Sequence, residues 1–148
     1  MVIGLGNALL GDEGVGVHVV ARLRARAAEF PAAELVEAGA AGHAVLHLVA
    51  GRRKAVLVDC AFMDLPPGTI RRFTPADVRS AKALSGCSLH QGDLLQTLEL
   101  SRQLGECPET VVIFGIQPQR VEPAENLAPT LASRLDEYVA AVAAELQE

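Results

Sequence analysis

Residues 53–60 read RKAVLVDC, and this stretch decides what the rest of the chain can be. Ala55, Val56, Leu57 and Val58 are continuously apolar, whereas a strand with one wet face would alternate apolar and polar. An unbroken run of this kind implies a strand buried on both faces, as in a parallel sheet covered by helices on each side. The run ends in Asp59, a carboxylate placed where a buried strand should be leaving the core.

The neighbouring segments agree. Residues 110–116, TVVIFGI, repeat the fully buried pattern. Residues 1–5 make a short strand that begins with the chain, and 34–38, ELVEA, alternates as a strand should. Between them Val15, Val19, Val20, Leu23 and Ala27 recur at helical spacing, which predicts a helix from Glu13 to about Phe30–Pro31. A short helix is expected around 43–50, after the small-residue turn GAAG. Residues 68–73, GTIRRF, follow the turn LPPG and read as an edge strand. Thr74-Pro75-Ala76-Asp77 has the form of a helix start. The spacing of Leu94, Leu95, Leu98 and Leu100 predicts a helix over 90–104 capped by Gly105, and a terminal helix is expected over 129–146. Strands alternating with helices, two of the strands buried on both faces, imply a three-layer α/β/α sandwich around a mostly parallel sheet.

Composition narrows the classes of function. A chain of 148 residues, half of them hydrophobic, is the length of one domain, 1–148, with a proper core. With no Trp, one Tyr and four Phe it lacks stacking platforms for single-stranded nucleic acid, and a net charge of −5 argues against a phosphate-backbone partner. Cys60, Cys87 and Cys107 are odd in number and form no C-x-x-C pair, which fits a reducing compartment. No apolar run reaches the ~18 residues of a membrane span and no leader segment precedes the first strand, so a cytosolic, soluble protein is expected.

In open α/β sheets ligands bind outside the carboxyl ends of the strands. On that edge the first strand empties into Asn7 and then Asp12–Glu13, the buried strand ends at Asp59, and CSLHQGD places His90 near the start of the next helix. An acid at a helix start can cap it, and Asp12 is assigned that part; Asp59 needs a partner such as Arg53 or a backbone turn. Glu13, Asp59 and His90 make a mixed oxygen and nitrogen set suited to a divalent first-row ion, zinc and nickel among them. His18, His43 and His47 read as packing or surface residues. Cys87 with His90, or Cys60 beside Asp59, offers a competing thiol nucleophile, but no orienting group or oxyanion loop accompanies it. A dinucleotide site is absent: GLGNAL lacks the third glycine, and two acids at the helix start would repel a pyrophosphate.

Taken in order, GLGNALLGDEGVGVHVVARL, AGAAG, VLVDCA, SLHQGDLL and VVIFGIQPQRVEP resemble the maturation endopeptidases of nickel–iron hydrogenases over nearly the whole chain. The resemblance implies a phosphorylase/hydrolase-like α/β sandwich with a five-stranded sheet, and metal ligands at Glu13, Asp59 and His90. It implies a single cut near the C-terminus of a nickel-loaded hydrogenase large-subunit precursor; a monomer in the cytoplasm is expected. The nickel is carried by the substrate, with zinc or cadmium able to take its place in the free protein. No nucleic acid or membrane is implied. Family members often carry Asp-Gly-Gly after the second strand, where this chain has Val36-Glu37-Ala38-Gly39, and the loop that usually runs Glu-Pro-Gly is Glu122-Pro123-Ala124 here. Glu37 therefore keeps a carboxylate at a different reach, and either Glu37 or Asp12 stands as the residue that would assist a water in cleavage. VIGLGN also resembles bacterial peptidyl-tRNA hydrolase, but that motif continues into a His-Asn pair, whereas DEGVG follows here in a net acidic chain. A nickel-binding chaperone or sensor using the same three ligands without cleavage is the non-enzymatic alternative.

Overall fold

Strand β3, Lys54–Phe62, is the spine of the molecule. In the computed structural model, which describes residues 1–77, 88–89 and 94–148, β3 pairs in parallel with β1, Val2–Leu5, on one side. On its other side lies β6, Thr110–Ile116, also parallel. Two strands complete the path: β2, Leu35–Gly39, runs parallel to β1, and β4, Ile70–Phe73, runs antiparallel to β6. The order is β2-β1-β3-β6-β4, the five-stranded, mostly parallel sheet expected, and a two-residue strand β5, Ser88–Leu89, adds an antiparallel pairing to the far end of β3.

The double-sided burial of β3 explains the three layers. Val56, Val58 and Cys60 face one core together with Val15, Val19, Val20 and Leu23 of helix α1, Val15–Arg24. Ala55, Leu57 and Ala61 face the other, with Val45 and Val49 of helix α2, Val45–Val49, and Leu94 and Leu98 of helix α3, Leu94–Gln103. Gly105, at φ +72, ends the turn after α3 as expected. Two exposed arginines, Arg71 and Arg72, sit on β4, where charge discourages another chain from pairing with the edge.

Three expectations are corrected. Helix α1 stops at Arg24 rather than near residue 30, because every residue from 24 to 29 is exposed and no buried stripe remains to hold it; a separate 3₁₀ turn, Ala27–Glu29, follows. The terminal helix is two helices, α4, Pro129–Ala132, and α5, Leu135–Gln147, separated at Ser133 and Arg134. There the Arg134 N–H bonds to Leu131 three residues back, a 3₁₀ closure, and beyond the break the buried Tyr138 donates its hydroxyl to Gly68 O at 2.8 Å. Asp59 does not end its strand: β3 continues to Phe62, but the pairing with β1 stops at Gly4 opposite Val58, so Asp59 begins the part of β3 that outruns β1. The helix start at Thr74 is present, with the Asp77 carboxylate accepting the Thr74 N–H and hydroxyl at 2.7 and 2.8 Å. Among the described residues no helix is long and apolar enough to cross a membrane.

Candidate metal centre on the carboxyl edge

Glu13 reaches the edge because the chain leaving β1 folds back on itself. Gly6 has φ +105, and a methyl there would overlap the carbonyl of Glu13. Gly16, at the start of α1, lies against the carbonyls of Leu5 and Val58 with no room for a side chain. These two glycines let the 3₁₀ turn Gly11–Gly14 press onto the ends of β1 and β3, carrying Glu13 into the protein at 3% exposure. The glycine-rich opening therefore places a carboxylate rather than a phosphate.

Asp59 is fully buried, on the α2 and α3 face of β3, the face that alternation gives the odd-numbered residues. Its Oδ1 accepts the Cys60 N–H at 2.8 Å, and its Oδ2 is buried with no hydrogen-bond partner among the described residues. Burial pushes its pKa up to about 7; the Cys60 N–H opposes this and the negative charge of Glu13 adds to it. Neither Arg53 nor a turn is its partner among the described residues: the one bond it accepts there comes from Cys60, its neighbour in β3. A buried carboxylate with an open oxygen and a second carboxylate near enough to repel it is an arrangement that a cation would relieve. The oxygen donors and the orphaned Oδ2 fit a divalent ion. His90 and Cys87 lie outside the described residues, and among the described residues no group of three His, Cys, Asp or Glu side chains is gathered to hold a metal.

The other candidate acids are placed differently. Asp12 does not cap a helix, as no side-chain cap bond is formed at either start. Instead its buried carboxylate turns to the segment after β6, where Oδ1 accepts Ala128 N–H at 2.7 Å and Oδ2 accepts Gln119 and Arg120 N–H at 2.9 and 3.0 Å. Glu37 sits opposite Gly4 inside β2 and accepts Arg24 Nη1 at 2.9 Å, at the last residue of α1. The fold thus brings Glu13 and Asp59 together and directs Glu37 toward the far end of α1. The Cys60 thiol is pushed far up by burial, then by the charges of Asp59, Glu13 and Asp12, so it carries no thiolate for nucleophilic attack. Gln117 was given no role by the sequence: its buried side chain accepts Met63 N–H at 2.7 Å and holds the turn that follows β3. The signal was its place directly after a fully buried strand.

A family model described as hydrogenase maturation protease matches residues 17–145. The chain belongs to the hydrogenase maturation protease family. Among members of that family it is 31% identical to the hydrogenase 2 maturation protease of Escherichia coli over 149 residues, covering all of this chain and 90% of that protein. It is 33% identical over 122 residues to the hydrogenase expression/formation protein HoxM of Cupriavidus necator, covering 82% of this chain and only 60% of that longer relative. The solved structure of the hydrogenase maturating endopeptidase HybD from E. coli superposes with a TM-score of 0.80 at 28% identity, over 99% of this chain and 90% of that one. The superposition on HybD spans nearly all of this chain, the buried edge acids included, so they sit in a fold the two proteins share.

Proposed function

We propose that this hydrogenase maturation protease is an endopeptidase that removes a short C-terminal tail from a nickel-loaded hydrogenase large-subunit precursor, acting as a monomer in the cytoplasm. The observation that carries the reading is Asp59, fully buried beside Glu13 with an oxygen that has no donor among the described residues. Glu13, Asp59 and His90 are the residues that would hold the ion. The nickel arrives with the substrate, and in the free protein zinc or cadmium would occupy the same ligands.

A metal held there supplies positive charge to polarise a carbonyl or a water. The chain's own residues do the rest. Asp59, whose proton burial favours, would release it to solvent water when the ion is held, and the buried Glu13 turn would present the second carboxylate. Asp12 holds the backbone at 119, 120 and 128, and Gln117 holds the turn at 63–65, so the walls of the edge are bonded in place.

The test is to incubate the protein with a nickel-loaded precursor and with its nickel-free form, and to follow the mass of each. Loss of a C-terminal tail from the loaded precursor alone is expected. Tight binding of the loaded precursor with no loss of mass would replace the protease by a nickel-binding chaperone.

A further inference from the structure

Among the described residues, three segments of the carboxyl edge bear on the Glu13–Asp59 pair, and two of them carry proposed ligands. The turn 7–14 carries Glu13 and the extension of β3 carries Asp59. The third, 117–128, leaves β6 next to β3, whose Asp59 and Cys60 lie opposite Gly115 and Ile116. It contributes no acid to the pair, yet the protein commits a fully buried carboxylate to it.

That commitment is unusual in kind. Asp12 uses both oxygens to accept three backbone N–H groups, from Gln119, Arg120 and Ala128. The same two segments are laced further by the backbone: Gly11 N–H to Ala124 O at 2.9 Å, Ala124 N–H to Leu9 O at 3.0 Å, and Asp12 N–H to Arg120 O at 3.3 Å. Leu10 and Ala124 form a short parallel bridge. At the other end of the segment, the Gln117 side chain accepts N–H groups from Met63 and Leu65. The segment is therefore latched to the Glu13 turn on one side and to the chain beyond Asp59 on the other. A buried carboxylate is tolerated where several amides satisfy it, and removing it leaves those amides with nothing to bond to. Such bonds give a surface loop the rigidity of an element, which a wall that must receive an extended peptide needs.

We infer that Asp12 is a positioning residue: it locks 119–128 against the Glu13 turn as the wall on which the substrate chain lies, and so acts on substrate binding rather than on bond cleavage. This rests on the proteolytic reading above.

The test compares Asp12→Ala with wild type in two measurements. Amide hydrogen exchange should quicken at Gln119, Arg120 and Ala128 while β3 and β6 stay protected. With nickel-loaded precursor as substrate, KM should rise about tenfold while kcat stays within about threefold, the signature of lost binding. Asp12→Asn keeps the shape but offers one acceptor oxygen to three donors, so it should fall between, and it carries the comparison if the alanine variant does not fold. Faster exchange with an unchanged KM would overturn the inference by making Asp12 a purely structural latch. A fall in kcat with KM and exchange unchanged would also overturn it, by placing Asp12 in the chemistry. Wild-type protein that never shortens the loaded precursor would bring down the proteolytic reading itself, and this inference with it.

Discussion

Glu145, packed against the start of β3, and Asp59, within that strand, are both buried carboxylates, and the protein treats them in opposite ways. At the start of the strand Glu145, 5% exposed, takes Lys54 Nζ at 2.8 Å and Arg72 Nε at 2.7 Å. The Arg72 hydrogen bond, and then Lys54, hold its pKa below the usual range despite burial. Toward the other end Asp59 has one backbone N–H, no Lys or Arg bonded to it among the described residues, and a pKa raised to about 7. The first acid pins α5 to the sheet. The second meets no compensating cation among the described residues, and that is what a site for a cation requires. Asp12 is a third case, satisfied by amides alone. Depth of burial is common to all three, so it is the partners that separate anchoring from function.

The largest effect expected from this contrast is on Asp59→Asn. The change keeps the shape and removes the uncompensated charge, so processing of a nickel-loaded precursor should fall by on the order of 10³-fold or more, as when an electrostatic group is taken from a reacting centre. Circular dichroism should still report a folded protein. Wild-type processing by this variant would mean that the open carboxylate has no part in the reaction.

The contrast also has a pH signature, with opposite signs at the two acids. Asp59 has a raised pKa, so the native state holds a proton that the unfolded chain releases between about pH 3.8 and about pH 7. The metal-free protein should therefore lose stability as pH rises through that window, by on the order of 2–4 kcal/mol, and Asp59→Asn should remove most of the slope. Glu145 has a lowered pKa, so its contribution is present above about pH 4.5 and is lost as pH falls below it. Urea denaturation in the presence of a chelator, from pH 4 to 8, reads both limbs. A flat neutral limb in the metal-free wild type would mean that Asp59 is compensated after all.

Much of this was legible in the sequence, because the signals were local. The apolar runs at 55–58 and 111–114 signal strands buried on both faces, and strands alternating with helical spacing along the chain signal the layers that the two cores then show. Glu13 and Asp59 could be placed on one edge because Glu13 lies in the segment that leaves the first strand and Asp59 comes directly after the apolar run 55–58. What escaped was set by distant partners. Asp12 looks like a helix cap in sequence because its true donors are 107 to 116 residues away. The ends of α1 and the break before α5 depend on which residues find a core to bury in, and helical spacing alone does not report that. Glu37 stands near where the resemblance implies an acid, but which way its side chain turns is decided by Arg24 on another element.

At Glu145, Glu145→Gln should lower stability by about 1–3 kcal/mol at neutral pH, less than a fully buried pair would lose, because Arg72 is 48% exposed and Lys54 30%. Thermal denaturation should show the difference at pH 7 and lose it in acid, below the pKa of the carboxylate. A neutral outcome at pH 7 would make the pair incidental and weaken the distinction between anchor and site.

The smallest effect belongs to Glu37, the acid that the structure turns away. Its partner Arg24 is 58% exposed and Glu37 itself 32%, so the 2.9 Å pair is open to water and salt. Glu37→Gln should change stability by no more than about 0.5 kcal/mol, the scale of surface ion pairs. It should leave zinc affinity unaltered and keep processing of the loaded precursor within about threefold, since losing a general base would cost about 10²–10⁴-fold. One local reading should still move. Burial lowers the pKa of His18 and the Glu37 charge raises it back, so in Glu37→Gln the imidazole should titrate lower still, visible by NMR. That shift without a loss of cleavage would place Glu37 where the hydrogen bond to Arg24 puts it, on the α1 side of the sheet. A general-base-sized loss of cleavage would mean instead that its carboxylate swings to the edge when substrate binds, and three acids rather than two would then define the site.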